Sequence, residues 1–119
     1  MKNEATGLQR LVNATRFSWQ GFKAAYKSEE AFRQEVWLAI LLLPLGLWLG
    51  DGAVERILLC GSVLLLMMVE LLNSAVECVV DRFGPEWNKY SGRAKDMGSA
   101  AVFLAIALML LTWALILLT

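Results

Sequence analysis

The sequence predicts an all-α membrane protein, an N-terminal amphipathic surface helix followed by three transmembrane helices, on three observations. Hydrophobic residues make up 58% of the 119 positions and charged residues 18%, with a mean hydropathy of +0.55. Soluble domains run nearer 45–50% apolar and about 25% charged. The stretch Met97–Thr119 holds no charged residue over 23 positions, enough for the ~20 residues a bilayer span requires. The first 28 positions, projected at about 100° per residue, separate into an apolar and a basic face. Disorder is excluded by the apolar content, and the length gives one domain covering residues 1–119.

The surface helix is placed at about residues 6–28. Leu8, Leu11, Val12, Trp19, Phe22 and Tyr26 share one arc, while Gln9, Arg10, Asn13, Arg16, Gln20, Lys23 and Lys27 occupy most of the opposite half. Between them runs a small-residue edge of Ala14, Ser18, Gly21 and Ala25 that admits a close helix or a ligand. The apolar arc suits the acyl boundary and the basic face suits anionic headgroups. A soluble helix docked on a partner protein is the plainer alternative. Phe17 lies among the polar residues and is a candidate for stacking.

The first span, about residues 30–50, is uncharged only over the 15 positions Val36–Gly50. Ala31, Phe32 and snorkelling Arg33 and Glu35 extend it. Pro44 inside it removes one backbone hydrogen bond and should kink the helix, which membrane helices tolerate. The second span, about residues 54–82, carries two acids, Glu70 and Glu77, within Ile57–Val80. Gly84-Pro85 and Ser91-Gly92 read as turns bracketing the next loop, and the third span covers about residues 92–118.

Ten of the eleven basic residues precede the first span or lie between the second and third, Arg56 being the exception. Short loops rich in Lys and Arg stay inside, so the N-terminus is expected in the cytoplasm and the C-terminus in the periplasm. The first 35 residues are too charged for a signal-peptide core, so no cleavage is expected. The formal net charge is zero, which argues against a nucleic-acid binder. No histidine is present, which removes His-dependent nucleophiles and His zinc sites and leaves acid–base work to carboxylates, Lys, Tyr or Cys. Cys60 and Cys78 lie in apolar runs and read as small packing residues.

An ionised carboxylate at mid-bilayer costs ~2.5–3.5 kcal/mol on insertion scales. Glu70, Asn73, Glu77 and Asp81 share one helical stripe, Glu70 and Glu77 about 10 Å apart in rise. Such residues can simply join helices through hydrogen bonds. Three acids on one face, however, repel each other unless a cation or proton relieves them. Glu29 and Glu30 stand before the first span, and Lys95 and Asp96 open the third, level with Glu77 and Asp81. Glutamates with water or phosphate oxygens suit Mg²⁺, and Lys95 can serve a polyphosphate. This is the equipment of phosphoryl transfer, with a carboxylate to take the acceptor's proton. No Gly-rich phosphate loop is present, so helix side chains would bind the nucleotide.

The run ELLNSAVE at Glu70–Glu77, continuing to Asp81, resembles the small bacterial integral-membrane diacylglycerol kinases. So do Ala31-Phe32-Arg33-Gln34-Glu35 and the stretch from Ser91-Gly92-Arg93 to Ala101. The likeness covers nearly the whole chain. It implies a homotrimeric helical bundle in the bacterial inner membrane that uses MgATP to convert diacylglycerol to phosphatidic acid. Carried over, it makes Glu70 the general base beside Asn73, and Glu29 and Glu77 the carriers of Mg²⁺ with ATP. Arg10, Phe17, Glu86, Lys95 and Asp96 would contact the nucleotide. The lipid would meet Arg10, Ala14, Ser18, Trp19, Lys23, the stretch Ala31, Phe32, Arg33, Gln34 and Glu35, and also Glu70 and Ser99. Trp48, Arg56 and Trp113 resemble positions along the acyl chains. Phe17 stands where the family often has tyrosine, so a hydroxyl contact to the nucleotide is lost there, while aromatic stacking could remain.

A polyprenol kinase, acting for example on undecaprenol, is the nearest rival, because it resembles this chain in the ExxNxxxE region. Ala31–Glu35 and Asp96–Ala101 favour the diacylglycerol branch. A proton or cation channel also lines its path with intramembrane acids, but has no need of the basic surface helix or the Glu29-Glu30 pair. A structural membrane subunit is the last alternative.

Overall fold

The computed structural model describes residues 2–119, and apart from residues 2–6, the short connections and Thr119 they are all helix. Helix α1 spans Gly7–Ser28, α2 Glu30–Leu49, α3 Gly52–Arg82 and α4 Lys89–Leu118. By length and composition α2, α3 and α4 are each able to cross a membrane. With 31 residues, α3 rises about 46 Å at 1.5 Å per residue. That exceeds the ~30 Å hydrocarbon core of a bilayer, so its ends stand outside any membrane it crosses.

Helix α3 is the centre of the fold, packed by α2 on one side and α4 on the other, and α1 lies against α2. The core joins Ala39 of α2, Val63 and Leu66 of α3, and Ala105 and Met109 of α4, with Leu38, Leu42 and Trp113 packed around them. Small residues in this set let the backbones approach closely. Trp113 also donates its indole N–H to the Leu59 carbonyl at 3.1 Å, tying α4 to α3.

The joints are made by cations at helix C-termini, where the exposed carbonyls and the helix dipole favour positive charge. Arg33 Nη1 donates to the carbonyls of Tyr26 and Lys27, both at 2.9 Å, and so binds α2 back onto the end of α1. Arg56 Nε does the same for α2, donating to Leu47 O at 2.9 Å. Between α1 and α2 a single residue, Glu29, takes extended geometry at φ −116° and serves both helices as a cap.

Several sequence expectations are corrected here. Ser91 and Gly92 lie inside the first turn of α4 and form no turn of their own. The cause is Asn88, whose side chain accepts hydrogen bonds from the backbone of Tyr90 and Ser91 at 2.9 and 3.2 Å and starts the helix early. The turn is confined to Phe83–Glu86, where Gly84 takes φ +96°, a conformation open to glycine without strain. Neither Arg33 nor Glu35 snorkels outward: Arg33 is engaged by α1, and Glu35 is buried. By contrast, α2 continues past Pro44, the tolerance expected of a membrane helix. Cys60 is half-buried with its thiol 3.4 Å from the Leu43 carbonyl, whereas Cys78 is exposed.

The single chain leaves much apolar surface open. Helix α4 buries only Ala105 and Met109, while Trp37, Leu41, Phe103 and Leu110 are all exposed.

Candidate functional site

The stripe of α3 grades from closed to open along the helix. Glu70 is 5% exposed, Asn73 and Glu77 are half-buried and Asp81 is exposed. Other elements bring further acids to it. Glu70 lies within electrostatic reach of Glu77 and of Glu29 at the α1–α2 joint. Glu35 of α2 lies within reach of Glu70. Four carboxylates from three parts of the chain therefore converge on the C-terminal half of α3.

Asn73 holds the middle of this group. Its Nδ2 donates to Glu77 Oε1 at 3.2 Å, and its Oδ1 is buried without a partner. Opposite it on α4 stands Gly98, where any Cβ would collide with that same oxygen. The glycine is what allows the amide to sit there. Glu35 Oε1 and Ser74 Oγ are likewise buried and unpartnered. An unmade hydrogen bond to a buried polar atom costs about 1–3 kcal/mol, and three around one acid stripe mark a place with unused bonding capacity.

The open end carries the cation. Lys95 Nζ lies 2.7 Å from Asp81 Oδ1, with both side chains largely in the open, so the pair adds little stability. What it does is hold an ammonium group beside the acids. Lys95 and Asp81 line a cleft of about 220 Å³ together with Glu86, Trp87 and Asn88 of the α3–α4 connection. Asp96, next on α4, is exposed.

Two larger crevices flank α1. One, of about 380 Å³, lies between α1 and α3 and is lined by Ser18, Gly21, Ala25, Glu29, Ser74 and Cys78, among others. Three members of the small-residue edge thus face α3. The second, of about 560 Å³ and almost wholly apolar, is lined by Trp19, Phe22, Lys23, Tyr26, Phe32 and Met67, among others. Trp19, Lys23 and Phe32 are therefore gathered in one place, although Phe32 itself is 2% exposed. The other sequence candidates are more scattered. Arg10, Ala14, Ala31, Gln34 and Ser99 are exposed on their helices. Phe17 carries the Arg16 guanidinium 5.9 Å above its ring. Trp48 is exposed near the far end of α2, Arg56 is engaged in its cap, and Trp113 belongs to the core fringe.

Sequence reasoning assigned no role to Gly98 or Ser74. Ser74 directly follows Asn73 and could have been suspected from that; the contact of Gly98 crosses between helices and leaves no sequence signal.

Chemically, the group offers two buried carboxylates, Glu70 and Glu35, an amide beside Glu70, two further glutamates and a nearby ammonium. Among the described residues no three His, Cys, Asp or Glu side chains cluster closely enough to hold a metal alone. Glu29 and Glu77 supply hard oxygen donors of the kind that bind Mg²⁺ when water and phosphate oxygens complete its shell.

Comparison with known proteins gives a consistent result. The family described as prokaryotic diacylglycerol kinase matches residues 16–117. The chain is 50% identical over 117 residues to a diacylglycerol kinase of Escherichia coli (strain K12), covering 98% of this chain and 96% of that one. It is 54% identical over 110 residues to the diacylglycerol kinase of Haemophilus influenzae, covering 92% and 93%. With the diacylglycerol kinase of Helicobacter pylori strain 26695 it shares 38% identity over 110 residues.

Proposed function

The chain belongs to the prokaryotic diacylglycerol kinase family, a family of lipid kinases, and from that premise we propose how this chain does its work. It transfers the γ-phosphoryl group of ATP to the hydroxyl of sn-1,2-diacylglycerol, giving phosphatidic acid at the cytoplasmic face of the bacterial inner membrane. The observation that carries this reading is the convergence of Glu29, Glu35 and Glu77 on buried Glu70.

Glu70 accepts the proton of the lipid hydroxyl as that oxygen attacks the γ-phosphorus and the bond to the bridging oxygen breaks, releasing ADP. Asn73, with its free Oδ1 and its bond to Glu77, orients the reacting groups. Glu29 and Glu77 would hold the Mg²⁺ bound with ATP, which would supply positive charge for the phosphate oxygens. Lys95, Asp96, Glu86, Arg10 and Phe17 bind the nucleotide. Glu70 sits about 10 Å of helix rise inside Glu77, so the lipid hydroxyl meets the phosphate near the interface and neither substrate crosses the membrane. The apolar crevice at Trp19, Lys23 and Phe32 suits the glycerol end of the lipid and its first acyl carbons. Residues Ala14, Ser18, Ala31, Arg33, Gln34, Glu35 and Ser99 would complete that side, with Trp48, Arg56 and Trp113 towards the outer leaflet.

Residues 6–28 lie on the membrane surface, and residues 30–50, 54–82 and 92–118 cross it, with the N-terminus inside and the C-terminus outside. The chain acts as a homotrimer. The face of α4 that carries exposed Phe103 and Leu110 and the half-open acids of α3 then meet neighbouring subunits, so the site is shared between chains.

Glu77→Gln and Glu29→Gln are expected to raise the Mg²⁺ concentration for half-maximal rate by about 10–100-fold, the usual penalty for weakening a metal site. A Mg²⁺ titration of turnover superimposing on wild type would remove them from the metal shell. Substrate choice is tested by offering equal amounts of diacylglycerol and undecaprenol with MgATP in mixed micelles. Diacylglycerol should gain phosphate at least about 10-fold faster, about 1.4 kcal/mol of discrimination. Faster undecaprenol phosphorylation would assign the chain to the polyprenol branch, and transfer to neither would restore the cation-channel reading.

A further inference from the structure

The first turns of α4 carry a cluster that the transfer chemistry does not use. Tyr90, 68% exposed, has the Lys89 ammonium 5.3 Å and the Arg93 guanidinium 5.8 Å from its ring centroid. Both cations are exposed. Among the described residues the one ion pair is Lys95–Asp81, so neither cation has an acidic partner. Like charges four residues apart on a helix repel, and the ring holds the two together through cation–π attraction. An anion placed between them relieves that repulsion.

The location selects the anion. At about 100° per residue Arg93 lies about 160° around α4 from Lys95, and Lys89 about 120° from it, so the pair points away from the cleft at Asp81 and Glu86. It lies on the same arc as Met97 and Leu104, both strongly exposed. At 1.5 Å per residue Arg93 stands about 6 Å beyond Met97, where the uncharged run starts, within the headgroup layer of about 5–8 Å on each side of a bilayer. Lys89 stands one turn further out, its ammonium held 5.3 Å from the centroid of the Tyr90 ring.

We propose that Lys89, Tyr90 and Arg93 form a binding site for an anionic phospholipid headgroup of the cytoplasmic leaflet. The phosphate sits between the two cations, the tyrosine hydroxyl lies at the polar surface and the acyl chains run down the Met97–Leu104 arc. The proposal rests on α4 crossing the membrane and is independent of the transfer chemistry.

The test uses the purified, delipidated full chain in detergent, titrated with phosphatidylglycerol or phosphatidylcholine and read by native mass spectrometry. Wild type should bind phosphatidylglycerol about 10-fold more tightly, in line with the attraction of a few interfacial cations. The Lys89→Gln/Arg93→Gln variant should lose that preference to within about 2-fold and keep its turnover in neutral micelles. A charge-matched variant, Lys2→Gln/Arg82→Gln, should keep the preference. Equal binding of the two lipids by wild type, an unaltered preference in the first variant or an equal loss in the second would overturn the proposal. So would a raised KM for ATP in the first variant with lipid preference retained, which would assign the cations to the nucleotide. Absence of turnover in wild type would count against the kinase reading alone, since lipid binding is read separately.

Discussion

Glu70→Gln should lower kcat by about 10²–10⁴-fold, the range for loss of a positioned general base, while the protein stays folded. Glutamine keeps the size and one acceptor oxygen but cannot take the proton of the lipid hydroxyl. The side chain is 5% exposed, so no bulk water stands ready to replace it. Folding should be unharmed, because removing one charge from a group that also contains Glu29, Glu35 and Glu77 relieves repulsion. Turnover assayed beside circular dichroism and thermal unfolding checks both halves. A folded variant within about 3-fold of wild type would remove Glu70 from the base role.

Gly98→Ala attacks the same site from the opposite helix. The new methyl meets Asn73 Oδ1 directly, and because α3 and α4 pack side by side through Val63, Leu66, Ala105 and Met109, the backbones have little room to part. Overpacking of this sort costs about 1–3 kcal/mol. Either the helices separate or Asn73 swings away and gives up its bond to Glu77. Stability should fall by that amount and turnover with it. The double variant Asn73→Ala/Gly98→Ala should regain most of the stability and none of the activity. Full activity in the single variant would show that the position of Asn73 is not needed for the reaction.

The helical architecture was legible because membrane spans declare themselves by length: 23 uncharged positions from Met97 have few other uses. The acid stripe was legible because spacings of three and four place residues on one helix face whatever surrounds them. What escaped the sequence was set by side chains acting across elements. Asn88 moved the start of α4 forward by capping it, and Arg33, read as a snorkelling residue, instead holds the end of α1. Glu35 could be placed beside Glu70 only once α2 was packed on α3. Gly98 resembled any small residue of a membrane helix until the amide of Asn73 was found against it.

The most direct test of phosphoryl transfer at this acid stripe follows the phosphate itself. Purified protein in diacylglycerol-containing micelles is given Mg²⁺ and ATP labelled at the γ-phosphate, and label in lipid is counted against ATP consumed. One labelled phosphatidic acid formed for each ATP consumed is the predicted result. ATP consumption without labelled lipid, or label in lipid formed equally well by Glu70→Gln, would contradict it.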